Sequence, residues 1–279
     1  MMTRRQMLQA LSATAVVGAT AAIAGVFAYP YFATKPVKDL MISGSKAVSR
    51  FVSLLIAPFI EKYPSTKVAI EGGSSFAGLV ALANGGIDVA MMSRDINFEE
   101  FNLDMQSHLI GIEGIAIVVH PKLNIKNIAF EKLSSILEGQ ISNWSELGGP
   151  HQKITVYNRA EGSSTRAFVE DVILRGASFG RNFKMCDSAT DVVKGIEADQ
   201  GGLGYVTIRN LAPNLKALDI NGVAISDKTI LLKLYPLTRD MFLVNKNTAS
   251  EVAKDFIRYS LSAPAQEIFV KNGLTQVSR

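Results

Sequence analysis

DLMISGSKAVSRFVSLLIAPFIEKYPSTKVAIEGGSSFAGLVALANGGIDVAMMS, residues 39–93, decides the fold. DLMISG (39–44) predicts a strand that ends at a glycine. From Ser45 to Lys62 the apolar residues Val48, Phe51, Val52, Leu55, Ile56 and Phe59 recur at helical spacing. KVAIEGG (67–73) predicts a second strand with a glycine turn, Phe76 to Asn84 a short helix, and IDVAMMS (87–93) a third strand. Strand, helix, strand, helix, strand in that order implies an α/β protein whose parallel sheet is covered by helices.

The alternation continues beyond this unit. GIAIVVHP (114–121) is a long apolar strand stopped by Pro121, after which the pattern starts afresh. FEKLSSILEG (130–139) predicts a helix closed by Gly139, KITVYNR (153–159) a strand, SSTRAFVEDVIL (163–174) a helix and GGLGYVTI (201–208) a glycine-led strand. LLKLYPLTRDMFLVN (231–245) reads as two extended stretches around Pro236, and the tail as two amphipathic helices, Ala249 to Leu261 and Ala265 to Lys271. A length of 279 residues fits about two domains. No low-complexity linker separates them, so strands are expected to join the two lobes as a stiff hinge.

Composition removes several classes of function. The net charge is +4, and Arg4 and Arg5, in an N-terminal stretch without acids, supply two of those charges. The body is near neutral and has no Lys/Arg stripe interleaved with aromatics, so no nucleic-acid partner is expected. The single cysteine, Cys186, excludes an internal disulfide and reads as a small buried hydrophobe. His108, His120 and His151 are scattered without metal-ligand spacing. No Gly-Lys-Ser/Thr triplet and no G-x-S-x-G elbow occurs. Neither enzyme activity nor a cofactor or metal is expected. Arg4 and Arg5 followed by the uncharged run from Gln6 to Thr34 form an export address over residues 1–36, a signal peptide or an N-terminal anchor. Thr3-Arg4-Arg5-Gln6-Met7-Leu8 also resembles a twin-arginine signal. A periplasmic or extracytoplasmic location follows from that address.

Three strand-to-helix turns share one composition: Ser43-Gly44-Ser45-Lys46, Gly72-Gly73-Ser74-Ser75, and Arg159-Ala160-Glu161-Gly162-Ser163-Ser164-Thr165. Each sets glycines and hydroxyls at a helix N-terminus, where unpaired N–H groups and the helix dipole favour an anion. Ser and Thr are also ordinary helix caps, so one such turn alone implies no ligand. Three of them, one led by an arginine able to form a bidentate pair, point to oxyanion binding. In an open α/β sheet such turns lie at the carboxyl ends of the strands, where ligands bind.

The body resembles the substrate-binding proteins of phosphate ABC importers, in the two-lobed periplasmic binding protein family. ISGSKAV (42–48), YPSTKVAIEGGSSFAGL (63–79), GGIDVAMMSR (85–94), GIAIVVHP (114–121), ILEGQISNWSELGG (136–149), VYNRAEGSSTRAFVEDVI (156–173) and GLGYV (202–206) carry the likeness, which spans nearly all of residues 38–275. The resemblance implies the type 2 fold, with a two-strand hinge and a ligand cleft between lobes. Lobe one is expected at 38–118 plus 239–279 and lobe two at 119–238. It implies capture of inorganic phosphate for import, by a monomer that docks on an ABC permease in the inner membrane. Another oxyanion (molybdate, tungstate or sulfate) or a sensor or accessory role are the alternatives. By the same resemblance, Ser45 and Ser75 supply hydroxyls of the first and second turns, Ser93 and Arg94 close the third strand, and Arg159, Ser163, Ser164 and Thr165 form the main anion loop. Glu161 then pairs with Arg159 and orients it. Lys46, Phe76 and Ala77 depart from the family pattern; Lys46 stands where a threonine is usual and is kept among the site residues.

Overall fold

A computed structural model describes residues 38–94, 96, 104–181 and 183–277. The expected export address at 1–36 lies outside them. The chain opens with β1 (Lys38–Ser45), α1 (Lys46–Lys62), β2 (Thr66–Gly73), α2 (Ser75–Ala83) and β3 (Val89–Met92). It continues through β4 (Met105–Val119), β5 (Asn127–Ile128), α3 (Phe130–Leu137) and β6 (Thr155–Arg159). Then come α4 (Ser164–Val169), β7 (Phe183–Cys186), α5 (Ala189–Glu197) and β8 (Gly202–Thr207). Next are the short β9 (Lys216–Ala217) and β10 (Asp219–Ile220), α6 (Asp227–Leu231) and β11 (Thr238–Lys246), and α7 (Glu251–Ser260) and α8 (Ala263–Lys271) close the chain.

β1 lies between β2 and β3 and runs parallel to both, as the alternation of the first fifty-odd residues implies. The main sheet has the order β2-β1-β3-β11-β4-β8-β6-β7. β4 is the strand common to its two halves. Its first part, Met105–Gly114, pairs antiparallel with β11, and its last part, Ile115–Val119, pairs antiparallel with β8. The fold is the mixed α/β, two-lobed one, with β4 as the strand shared by the halves and β11 beside its first part.

Two large apolar clusters serve the two halves. In the first, α1 presents Val48, Phe51, Val52, Leu55 and Phe59 to Leu40 and Ile42 of β1 and to α7 and α8. Edge-on aromatic pairs, Phe59 with Phe256 and Phe51 with Phe269, tie α1 to those last helices. In the second cluster, Ile115, Ile117 and Val119 of β4 meet Trp144, Val156, Tyr205 and Tyr235. The Trp144 indole N–H donates to the Gly201 carbonyl, so its polar edge is satisfied where the ring is buried. Cys186 is buried, as its sequence context implies, and burial pushes its thiol pKa up.

Several elements differ from expectation. β4 begins at Met105 and not at Gly114, because its first five residues are not fully buried and carry no continuous apolar run. Residues 231–235 are not extended: α6, capped by Ser226, ends there, Lys233 takes a left-handed φ of 55°, and only the segment beyond Pro236 is a strand. β7 and α5 fill a stretch with no assigned element. Among the described residues, no helix is long and apolar enough to cross a membrane.

Candidate anion-binding cleft

The three hydroxyl-rich turns converge. Ser45 ends β1 and caps α1, its Oγ accepting from the Ala47 N–H at 3.3 Å. Ser74 caps α2 by accepting from the Ala77 N–H at 3.1 Å. That leaves Ser75, the first helical residue, to face Ser93 beyond β3: the Ser93 N–H donates to Ser75 Oγ at 3.1 Å and the two hydroxyls lie 3.3 Å apart. Ser163 caps α4, accepting from the Arg166 N–H at 3.4 Å. α4 runs on as a single wider turn, Glu170–Leu174, so the helical segment is longer than α4 itself.

The first two turns are held together by close backbone approach. A Cβ on Gly78 of α2 would stand 2.6 Å from the Gly44 Cα, and one on Gly44, where φ is +135°, 2.3 Å from the Met91 carbonyl oxygen. Only glycine lets α2 lie so near the end of β1.

These turns line a cleft of about 760 Å³. Of the residues singled out from sequence, Ser45, Lys46, Ser75, Ser93, Arg94, Glu161, Ser163 and Ser164 line it. Lys46 reaches across, its Nζ donating to the Gly162 carbonyl at 3.3 Å. Arg159 and Thr165 do not line it. Thr165 is buried. The Arg159 Nη2 donates to the Asp187 carbonyl at 3.1 Å, its carbonyl accepts from Arg166 Nη1, and its backbone N–H donates to the Tyr205 hydroxyl. Tyr205 is buried, which raises its pKa, and it also donates to Asn158 Oδ1. The pairing of Glu161 with Arg159 implied by resemblance is not found: among the described residues no ion pair joins them, because the Arg159 fork is turned toward Asp187.

Four further charged residues line the cleft without a signal in the sequence that singled them out: Arg166, Glu170, Asp171 and Arg239. Arg166 Nε donates to Glu170 Oε1 at 2.8 Å, one helical turn on. Its position three residues after the Ser163 cap was readable; its inward direction was not. The charges are partly segregated. Lys46, Arg94 and Arg239 come from the β1, β3 and β11 side, whereas Glu161, Glu170 and Asp171 belong to the third turn and its helix, where Arg166 is the one cation among the lining residues. Among the described residues no cluster of His, Cys, Asp or Glu could hold a metal ion.

Comparison with known proteins identifies the family. Residues 30–264 match the family model of the PBP superfamily domain. The phosphate-binding protein PstS of Bacillus subtilis is 32% identical over 238 residues, covering 83% of this chain and 78% of the relative. PstS of Borreliella burgdorferi is 25% identical, covering 85% and 89%. Among solved structures, an ABC-type phosphate transport receptor from Vibrio cholerae superposes with a TM-score of 0.81 at 27% identity, covering 87% of this chain and all of the other. A phosphate ABC transporter substrate-binding protein from Clostridium perfringens, solved with bound phosphate, gives a TM-score of 0.67 at 28% identity, covering 86% and 100%. With a topology of two half-sheets sharing β4, a cleft built from strand-to-helix turns and these relatives, the chain belongs to the PstS family of phosphate-type binding proteins within the PBP superfamily.

Proposed function

We propose that the chain is an exported, non-enzymatic binding protein that captures inorganic phosphate in this cleft and delivers it to an ABC permease of the inner membrane. The observation that carries the reading is convergence. Turns that begin near residues 43, 72 and 159 bring five serines and Lys46 to one cleft, where Ser93 and Arg94, just beyond β3, join them. A buried oxyanion needs a full set of donors, since each unmet oxygen is costly; hydroxyls, helix N-termini and cations are such a set. The names of the relatives and the phosphate in the Clostridium perfringens structure support phosphate as the ligand. Arg159 and Thr165 belong to the site in this reading, Arg159 by exchanging the Asp187 carbonyl for the ligand. We divide the lobes as 38–118 plus 239–279 and 119–238; the two large apolar clusters support two lobes, with Ile115 and Ile117 of β4 packed in the second cluster from the lobe-one side of that division. Residues 1–36 direct export, and the protein acts as a monomer.

A second reading, capture of molybdate, tungstate or sulfate, is favoured by Lys46. A cation in place of a threonine recognises charge and makes no demand on a proton carried by the ligand. Calorimetric titration of the purified body with phosphate, arsenate, sulfate and molybdate separates the two. Phosphate is expected to give the tightest isotherm; no heat with any of the four rejects oxyanion capture altogether. Arg159→Ala is expected to fold and to bind phosphate about ten-fold or more weakly, since a charge-assisted bond to the ligand is lost. Unchanged affinity in that variant removes Arg159 from the site.

A further inference from the structure

Arg239 enters the cleft from β11, an element that none of the anion turns uses. It stands opposite Glu113 of β4, so the pair lies next to the point where β4 leaves the first half-sheet for the second. Its Nη2 donates to Glu113 Oε2 at 2.5 Å and its Nη1 to the Ser164 carbonyl at 2.8 Å. The guanidinium also lies over the Phe168 ring, 5.3 Å from its centroid. Arg239 is 6% exposed and Glu113 0%. The second Glu113 oxygen meets the guanidinium of Arg50, from the second turn of α1. A continuous run of charged contacts therefore links α1, β4, β11 and the first residue of α4. α1 and α4 are the helices whose N-terminal turns line the cleft from its two sides.

Stability does not account for this arrangement. A buried ion pair contributes little net stability, and well-packed apolar residues in its place often do better. The cluster is also unbalanced: one carboxylate faces two guanidiniums. Burial, and next the Arg239 and Arg209 charges, lower the Arg50 pKa to about 10. The Arg239 Nε–H is buried and has no hydrogen-bond partner among the described residues. An unbalanced positive charge, in a side chain that lines the cleft, favours an anion there.

We propose that Arg239 is a further residue of the anion site, which, held by Glu113, fixes the Ser163–Thr165 turn against α1 and sets a buried positive charge at the cleft. Glu113 is the positioning residue for it. The proposal rests on the oxyanion-capture reading given above.

The test uses the purified full body as wild type, Arg239→Lys, and the double variant Glu113→Gln/Arg239→Gln, which removes both charges so that neither is stranded. Each is checked for wild-type circular dichroism. Phosphate affinity is measured at two salt concentrations, and hydrogen exchange of the 163–168 amides is measured without ligand. The double variant is expected to bind phosphate about ten-fold or more weakly, as befits loss of a charge-assisted contact. Its salt dependence is expected to be shallower and its exchange faster at 163–168 than elsewhere. Arg239→Lys keeps the charge but cannot hold Glu113 and the Ser164 carbonyl in one fork; it is expected to speed the same exchange and weaken binding less. It carries the test if the double variant does not fold. Wild-type affinity and wild-type exchange at 163–168 overturn the proposal, even with a lowered melting temperature, because the cluster is then structural only. If the wild-type protein binds no oxyanion, the capture reading fails by itself, whereas the exchange measurement still reports whether Arg239 holds the turn.

Discussion

A capping serine and an anion-binding serine are not rival roles. In Ser45 and Ser163 the Oγ accepts a backbone N–H of the helix it caps, which uses a lone pair and leaves the hydroxyl hydrogen to be donated. One residue thus closes a helix and still offers a donor to the cleft. Ser163→Ala is expected to cost about 1 kcal/mol of stability through the lost cap, and to weaken phosphate binding as well; urea denaturation and titration of one sample read the two effects apart. Lys46 acts differently, since it is exposed and spans to the Gly162 carbonyl. Lys46→Thr is expected to weaken phosphate binding roughly five-fold at low salt, with the difference shrinking at high salt, because an exposed charge is screened. A loss that persists at high salt points to hydrogen bonding and not to charge. At this scale the sequence was informative where composition repeats: serines and glycines clustered at strand ends stood out. Arg239 did not, because its meaning depends on Glu113, which lies 126 residues away and meets it only through the register of two strands.

Elements whose apolar residues keep one period were the ones readable in advance. α1 shows its buried stripe at helical spacing, and β1 to β3 follow from the alternation around it. β4 was half readable: its second part is a run of buried apolar residues, but its first part mixes Gln106, Ser107 and His108 into a partly exposed stretch that resembles a loop. α5 carries a local start signal in its sequence, the reciprocal capping box of Ser188 and Asp191. Ser188→Ala removes that box and is expected to lower stability by about 1 kcal/mol. Its phosphate affinity should stay within two-fold, which makes it a control for variants near the cleft. Gly78→Ala tests the opposite case. Its added Cβ meets the Gly44 Cα and the Ser43 carbonyl, so α2 must shift away from β1. A loss of about 1–3 kcal/mol is expected from that overpacking, together with weaker binding, since Ser75 moves with the helix. Wild-type stability in Gly78→Ala contradicts the tight approach of the two turns.

The whole molecule is organised around β4, which belongs to both half-sheets, and β11, which fits between β3 and β4. A ligand gripped from both sides of the cleft ties the halves together. Phosphate at a hundred times its dissociation constant is expected to stabilise the protein by about 2.7 kcal/mol, seen as a higher melting temperature. X-ray scattering should show a smaller radius of gyration on saturation as the halves close; an unchanged radius with full binding means that the cleft is already closed without ligand. The order of strands in space also sets an order in time. As the chain leaves the ribosome, β1, β2, β3 and β4 are made early, yet β3 and β4 have no strand between them to join them until β11 arrives, more than a hundred residues later. Until then each offers an open strand edge, a hazard for mispairing. The first helix, α1, likewise waits for α7 and α8 to cover it. Nascent chains cut before residue 238 should therefore be protease-sensitive over residues 38–94, with protection gained only once the last forty residues are free of the ribosome tunnel.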